Sequence, residues 1–443
     1  MQALILAGGK GTRLGNLTKR IPKPLVKIVG KPVLEYQIEL LAKNKIRDIT
    51  ILTNYLGDKI KKFCGNGGKW HVKINYLEES PPLGTAGGVK ELESHLRGNF
   101  LVIYGDLLLN IDFARFEKQH NKNKTADKQC AGTLMVHPND HPYDSDLVDV
   151  NEDHKITRFI CKPHPHDLVY NNLVNAAVYI FSTKIFHYIP KGVSSDFGKD
   201  IFPQILNVNK HSLYAYNSPE YLKDMGTPER LRQASNDVKK DLYNKRTLKY
   251  KNPAVFLDRD GVINEEVDHL TSVDNFKLIK NADKAIKKLN ENGFYAVVIT
   301  NQSAIAKGFC SYEDVLNINK KMQTELGKNG ARLDRILFCP HHPEKGFPGE
   351  NKKYKTKCNC RKPKLGMLKK AIKELNIDQK KSYFIGDSTT DALTAKKAGI
   401  PFIGVKTGYG CRDKKYLLLL GNKAINIQRD IYSAVVSIVK RKI

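Results

Sequence analysis

The sequence predicts two α/β units in tandem, each built on a mainly parallel sheet with helices on its faces. Three observations predict it. The chain has 443 residues, enough for two or three domains. Short apolar runs alternate with helical patterns in both halves, as when strands feed crossover helices. A polar, lysine-rich stretch at 233–252 separates two such series.

In the first series, apolar runs at 4–7, 49–52, 100–104 and 177–181 end in turn or acidic residues and read as strands. Between them, Leu34, Ile38 and Leu41 stand at i, i+4 and i+7, one face of a helix. The stretch 233–252 ends in Lys249-Tyr250-Lys251-Asn252-Pro253 and reads as a linker, which places the units at 1–232 and 253–443. A fresh strand begins at 254–257. A helix follows, with Ala282, Ala285, Ile286 and Leu289 on one face and Gly293 as its stop. Further strands are expected at 295–299 and 383–385. Acidic or polar residues close these strands at their C-terminal ends, the edge where open α/β sheets bind ligands. No internal repeat and no hexapeptide array is found.

Composition narrows the classes. Apolar residues make up 41% and charged residues 27%, which excludes a fibrous or disordered chain. The longest tempting apolar stretch, Leu417–Leu420, is far too short to span a bilayer. Met1-Gln2-Ala3-Leu4 enters an apolar run with no basic segment before it, so no signal peptide is expected. Eight cysteines in a chain this long do not make a disulfide framework, and three of them cluster around His341. A reducing, cytoplasmic compartment is the expectation. Net charge is +28, divided as 32 Lys and Arg against 24 Asp and Glu over residues 1–235, and 42 against 22 over 236–443. Such an excess suits either polyanionic macromolecules or substrates that are all phosphate anions. The motifs favour phosphate, with no nucleic acid and no membrane among the expected partners.

The first motif lies at the N-terminus. The strand at 4–6 runs into Ala7-Gly8-Gly9-Lys10-Gly11-Thr12-Arg13-Leu14. Glycines allow backbone N–H groups to approach a polyphosphate, and Arg13 adds a charged fork. Pro22-Lys23-Pro24 follows, two prolines framing one lysine suited to a phosphate in transfer. The spacing G-G-x-G-T-R-L…P-K-P resembles the sugar-1-phosphate nucleotidyltransferases over about residues 1–232, a family with a Rossmann-like fold. Further pieces occur in the family's order. Pro82-Leu83-Gly84-Thr85-Ala86-Gly87-Gly88 is similar to its base- and sugar-contacting loop. Tyr104-Gly105-Asp106 resembles the strand end that holds Mg²⁺, and Asn175-Ala176-Ala177-Val178-Tyr179 the sugar-contacting strand. Asp224-Met225-Gly226-Thr227-Pro228-Glu229 resembles the second metal carboxylate and a helix start. The resemblance implies that Gly8, Gly9, Gly11, Thr12, Gly84, Thr85, Gly87, Lys162 and Asn175 bind substrate. It also implies that Asp106 and Asp224 hold Mg²⁺, and that Arg13 and Lys23 neutralise charge as a sugar 1-phosphate displaces pyrophosphate from a nucleoside triphosphate. Cys161-Lys162-Pro163 stands where the family has Glu-Lys-Pro, which removes a usual acceptor for sugar hydroxyls.

The second unit opens with Asp258-Arg259-Asp260-Gly261-Val262-Ile263-Asn264 after a strand. Two aspartates at i and i+2 can share one phosphate and one Mg²⁺, the first as nucleophile and the second as acid/base. Thr300-Asn301-Gln302, Arg361-Lys362-Pro363 and Gly386-Asp387 follow, with Asp391 beyond. In this order they resemble the haloacid dehalogenase superfamily over about residues 253–410. The resemblance implies Asp258 as nucleophile, Asp260 as acid/base, Thr300 and Lys362 on the phosphoryl group, and Asn301 and Arg361 on substrate. It places Mg²⁺ between Asp258, the Asp260 backbone carbonyl and Asp387. Glu266-Val267-Asp268-His269 lies where the family has substrate contacts. Cys339, His341, Cys358 and Cys360 form C-x-H, a 16-residue gap, then C-x-C. Three thiolates and an imidazole suit a closed structural Zn²⁺ site over 339–360, with His342 as the rival ligand. Together these resemble the heptose-1,7-bisphosphate phosphatases, with the histidinol-phosphate phosphatases as rival. Ala304 replaces a usual glycine, and Ser388 stands where some relatives carry lysine.

A heptose bisphosphatase makes a heptose 1-phosphate, and a sugar-1-phosphate nucleotidyltransferase uses one. The expectation is a bifunctional enzyme of activated-heptose synthesis for a surface glycan such as lipopolysaccharide, with GTP as donor and GDP-heptose as product. A hexose-1-phosphate transferase joined to a less specific phosphatase, and a non-catalytic basic or RNA-binding protein, are the alternatives. Oligomeric state stays open.

Overall fold

A computed structural model describes residues 1–165, 167–344, 346–413, 415–420 and 426–442. The chain forms two compact units. The first comprises Met1–His137, Ser145–Lys162 and Leu173–Thr247; the second comprises Pro138–Asp144, Pro163–Asn172 and the chain from Leu248 onward.

The stretch expected as a linker is helical over much of its length. Thr227 caps helix Pro228–Lys239, its hydroxyl accepting from Arg230 N at 3.3 Å, and Pro228 sits in the first turn. A second helix, Leu242–Lys245, follows. Leu231, Ala234 and Val238 stand at i, i+3 and i+7 and pack with Tyr221, Met225 and Tyr243. The helix start at Thr227-Pro228 agrees with the expectation, but one narrow apolar stripe in a lysine-rich segment carried too little periodic signal to extend that helix past 232.

In the first unit, strand Gln2–Leu6 lies between Asp48–Thr53 and Phe100–Tyr104, parallel to both. Alternate side chains feed two cores: Ala3, Ile5, Leu101 and Ile103 enter one, and Leu4, Phe100 and Val102 the other. Beyond Phe100–Tyr104 the sheet departs from the mainly parallel expectation. Val174–Phe181 pairs antiparallel to Phe100–Tyr104 and to Cys130–His137. Both faces are buried there too, so the apolar run does not betray its direction. Helix Val33–Lys43 turns Leu34, Ile38 and Leu41 into the core as expected.

Helix Phe113–Ala126 buries His120 completely. Its Nδ1 meets the Thr133 hydroxyl at 3.0 Å and its Nε2 has no hydrogen-bond partner. Burial, helped by Lys124, pulls its pKa from 6.5 down to about 4. A histidine held neutral in this way costs nothing above pH 6.5 and subtracts stability as pH falls from 6.5 toward 4. The loss reaches about 3 kcal/mol. His120→Phe is therefore expected to flatten the acid limb of stability between pH 7 and 4.5, read by thermal melts followed by circular dichroism. An unchanged slope would refute this.

The second unit is a six-stranded sheet whose pairs are all parallel. Its order is Arg335–Cys339, Tyr295–Asn301, Ala254–Leu257, Tyr383–Gly386, Phe402–Val405, Ile427–Gln428. Val255 and Leu257 face one core, Ala254 and Phe256 the other. Helix Ala282–Glu291 buries Ala282, Ala285, Ile286 and Leu289, and Gly293 lies just past its end at φ 74°. No described helix is long and apolar enough to cross a membrane.

Candidate active sites

In the first unit the glycine loop leaves strand Gln2–Leu6 at the sheet's C-terminal edge. Gly11 has φ 65°, and a Cβ there would crowd Thr18 Cγ2 at 3.0 Å and Lys23 Cβ at 3.2 Å, so glycine favours the close approach of the two segments. The Thr18 hydroxyl donates to Gly11 O at 2.9 Å and fixes that turn. Thr12 and Arg13 follow, exposed. Lys23 opens a short 3₁₀ turn after Pro22, and its ammonium pairs with the Asp106 carboxylate.

Pairing of two short strands brings the distant aspartates together. Tyr221–Asp224 runs antiparallel to Leu107–Asn110 with Asp224 opposite Leu107, and Met225 N donates to Asp106 O at 2.9 Å. Asp224 accepts from Gly226 N at 2.9 Å and pairs with Arg230 at 2.8 Å. The Arg13 guanidinium lies over Gly226, where a Cβ would come within 3.0 Å of it. Buried Gln37 donates to Tyr104 O and Leu107 O, at 2.9 and 2.8 Å, and so grips the backbone on both sides of Asp106. Sequence reasoning did not single out Gln37; a polar residue between Leu34 and Ile38 on the buried face was the available signal.

Other expected contacts divide. Gly9 leaves open space where a Cβ would be, while Gly8 packs beside Asn54 and Glu79. Gly84 and Gly87 press against the backbone of Ser195 and Val193. Thr85 is bound within the protein: it donates to Asp196 at 2.7 Å and accepts from Phe197 N at 2.9 Å. Asn175 likewise donates to the Tyr179 hydroxyl at 3.0 Å and accepts from Ala177 N at 3.2 Å. Glu79, not singled out from sequence, is half-buried between Gly8 and Gly88, and burial raises its pKa. At Cys161 the thiol donates to Gly198 O at 3.2 Å, and Lys162 N donates to Asp146 at 3.1 Å. A carboxylate, that of Asp146, thus lies beside Cys161 and Lys162.

In the second unit, strand ends assemble a buried charge cluster. Lys362 Nζ lies 2.8 Å from Asp258 and 2.6 Å from Asp391. Oxygens of Asp258, Asp387 and Asp391 all lie within 4.8 Å of one another. Burial first, then repulsion from Asp391, raises Asp258; burial, then Asp258, raises Asp387. Burial works against the Lys362 charge, but Asp258 and Asp391 hold it protonated. Three hard carboxylates around one ammonium leave excess negative charge, which fits Mg²⁺.

The Asp260 carboxylate is not part of that oxygen cluster. It accepts from Arg259, Asn264 and Gln302 at 2.7–3.1 Å, which leaves its backbone carbonyl as the candidate ligand. Burial opposes its charge, yet Arg259, wholly buried, pulls its pKa below the ordinary value. Asp391 joins in its place, carried on helix Thr389–Ala398 and bonded by Ser388 at 2.7 Å. Ser388 caps that helix, the role that fits a serine there. Asn301 exchanges hydrogen bonds with the Lys362 backbone, at 2.9 and 3.2 Å, and so sets the lysine. Gln302 donates to the buried Thr300 hydroxyl at 3.0 Å. A cavity of about 370 Å³ opens over these groups, lined also by Glu266, Asp268, His269, Lys307 and Arg361.

Behind Arg361, ligand atoms of Cys339, His341, Cys358 and Cys360 lie within 4.8 Å of one another. His341 Nδ1 is 3.3 Å from Cys360 Sγ and 3.6 Å from Cys339 Sγ. The neighbouring His342 turns instead toward Glu344, 3.8 Å away. A compact Cys₃His set fits Zn²⁺. The Arg361 guanidinium donates to His341 O at 3.2 Å, which ties this loop to the cavity wall.

A glycine loop, a framed lysine and two aspartates at adjoining strand ends in one unit, with an aspartate–lysine cluster in the other, define an enzyme with two phosphate-handling centres. Residues 2–241 match the nucleotidyl transferase family, and 359–417 the HAD-hydrolase-like family. The D-glycero-beta-D-manno-heptose-1,7-bisphosphate 7-phosphatase of Haemophilus ducreyi is 43% identical over 157 residues, 35% of this chain and 84% of that relative. The D-glycero-alpha-D-manno-heptose-1,7-bisphosphate 7-phosphatase of Photorhabdus laumondii is 35% identical over 176 residues, 39% and 93% of the two. The structure of HddC from Yersinia pseudotuberculosis complexed with GMP-PN is 26% identical, covering 54% of this chain and 99% of its own, with a TM-score of 0.46. The chain belongs to the nucleotidyl transferase family, joined in its HAD-like region to the family of heptose-1,7-bisphosphate 7-phosphatases. It is a bifunctional enzyme.

Proposed function

We propose that the two centres act on one sugar in succession. The second unit removes the 7-phosphate of D-glycero-D-manno-heptose 1,7-bisphosphate. The first transfers a nucleotidyl group to the resulting heptose 1-phosphate, with GTP as donor and GDP-heptose and pyrophosphate as products. One observation carries this reading: a chain of the nucleotidyl transferase family also carries a phosphatase whose relatives are named for a heptose 1,7-bisphosphate. Loss of its 7-phosphate leaves a sugar 1-phosphate, the acceptor such a transferase needs.

In the second unit, Asp258 attacks phosphorus and forms an aspartyl phosphate as the P–O bond to the sugar breaks. Asp260 gives the sugar oxygen its proton, then takes one from the water that releases phosphate. Its Arg259 partner suits the second half, and the negative charge of the arriving phosphate favours the protonated form the first half needs. Lys362 and Thr300 bear on the phosphoryl oxygens, and Arg361 on the rest of the substrate. Mg²⁺, when bound by Asp258, Asp387, Asp391 and the Asp260 carbonyl, supplies charge neutralisation. In the first unit, Asp106 and Asp224 would hold Mg²⁺ together with phosphate oxygens, and Arg13 and Lys23 take up charge on the triphosphate. Zn²⁺ at the Cys₃His set would pin the loop at 344–357.

The test gives the purified chain each anomer of heptose 1,7-bisphosphate, Mg²⁺ and one nucleoside triphosphate at a time. Phosphate release is expected with every nucleotide, and pyrophosphate release chiefly with GTP. Phosphate release with no nucleotide-dependent pyrophosphate would overturn the joint reading.

A further inference from the structure

Arg259 is wholly buried, and its guanidinium is divided between two partners. Nε and Nη2 donate to the two oxygens of Asp260, at 3.1 and 3.0 Å, as a bidentate fork. Nη1 donates to Asn319 Oδ1 at 3.2 Å. A guanidinium is planar and points its donors in fixed directions. Holding Nη1 therefore sets the plane of the whole fork, and with it the setting of the Asp260 carboxylate. Asn264 and Gln302 donate to that carboxylate as well, at 2.9 and 2.7 Å. Among the described residues, Asn319 is the side chain that holds the fork from its other end.

Asn319 is itself buried, and it is not among the residues that line the cavity. It stands on helix Tyr312–Lys328, whose Ile318, Met322 and Leu326 enter the core at i, i+4 and i+8. Ser311 and Asp314 cap the helix reciprocally: Asp314 N donates to the Ser311 hydroxyl at 3.0 Å, and Ser311 N to the Asp314 carboxylate at 2.7 Å. About one turn beyond Asn319, two segments from the first half of the chain that fold with the second unit hold the helix. Tyr170 N donates to the Thr324 hydroxyl at 3.0 Å, and Asn172 N to Gln323 Oε1 at 3.2 Å. A Cβ on Gly327 would stand 2.7 Å from Pro142 Cγ. A helix fixed at its start, along its apolar face and past Asn319 gives that amide one position.

We propose that Asn319 is a positioning residue for the phosphatase reaction, holding the Arg259 fork so that Asp260 meets the departing sugar oxygen. This rests on the reading of Asp260 as the acid. The P–O bond to the sugar breaks with its electron pair on the sugar oxygen, and the proton passes from Asp260 to that oxygen. Asn319 moves no proton and touches no substrate. Its loss lets the fork turn, and a displaced acid delivers its proton less well.

The experiment uses the full chain and compares kcat/KM for heptose 1,7-bisphosphate with that for p-nitrophenyl phosphate. Both are attacked by Asp258 and differ in what leaves: a sugar alkoxide needs a proton as it departs, and p-nitrophenolate does not. Asn319→Leu and Asn319→Ala are expected to lower the ratio of the first to the second about 10- to 30-fold. Asn319→Asp, which keeps an oxygen for Nη1, should hold it within about threefold of wild type. Asp260→Asn should lower the ratio further, and adding Asn319→Leu to it should lower it no more. A ratio unmoved in the leucine and alanine variants overturns the proposal. So does an equal loss on both substrates, the mark of a structural role, and so does a second full loss on the Asp260→Asn background. An Asp260→Asn chain with the wild-type ratio would instead sink the acid assignment. A wild-type chain idle on the heptose bisphosphate but active on another sugar phosphate would sink the substrate reading alone, and the same ratio is then read on that sugar phosphate.

Discussion

Asp258→Asn is expected to cut phosphate release at least about 10³-fold, some 4 kcal/mol of barrier, while nucleotidyl transfer to supplied sugar 1-phosphate stays within twofold of wild type. The amide has the carboxylate's shape but not its nucleophilic oxygen. Folding should survive. Asp258 is one of three carboxylates gathered within 4.8 Å, and Lys362 keeps Asp391 at 2.6 Å when Asp258 loses its charge. Removing one of three mutually repelling buried charges should leave the thermal midpoint of the metal-free chain equal or higher. Phosphate and pyrophosphate assays on one preparation check both halves. Parallel loss of both activities would mean that the two centres are not separable in this way.

Lys23→Ala is the mirror experiment. Pyrophosphate release should fall about 10²- to 10³-fold, with phosphate release from the bisphosphate unaffected. The framing prolines place one compact positive charge beside Asp106, and no other described cation is paired with that carboxylate. Without it, charge developing on the triphosphate loses a fixed donor. Lys23→Arg should recover little, because a longer, planar fork does not place its charge where the compact ammonium meets Asp106. Recovery to near wild type in the arginine variant would show that charge alone, without placement, suffices.

Much of this is legible in the sequence alone. Motifs that lie within one strand and its following loop, such as Asp258 to Asn264 or Gly8 to Leu14, carry their own geometry. A strand end fixes where the next few residues point, so residue type and spacing are nearly sufficient. Helices with a wide apolar face, such as Val33–Lys43, were equally plain. The sheet's change of direction at Val174–Phe181 was not, since a strand buried on both faces reads alike either way. Nor was the length of helix Pro228–Lys239: its start at Thr227-Pro228 was expected, but its run into the linker stretch was not, since its apolar stripe is one residue wide per turn.

Local sequence therefore determined the two α/β units, the loops at their strand ends and the kinds of side chain those loops present. Tertiary structure decided which of those side chains meet. Strand pairing sets Asp224 beside Asp106; packing turns Asp260 toward Arg259 and brings Asp391 into the oxygen cluster; Thr85 and Asn175 spend their hydrogen bonds inside the fold. The reason is physical. A buried polar or charged group must find partners, and where these come from distant segments, as for Thr85 with Asp196, Asp260 with Gln302 or Lys362 with Asp391, only the packed chain specifies their arrival.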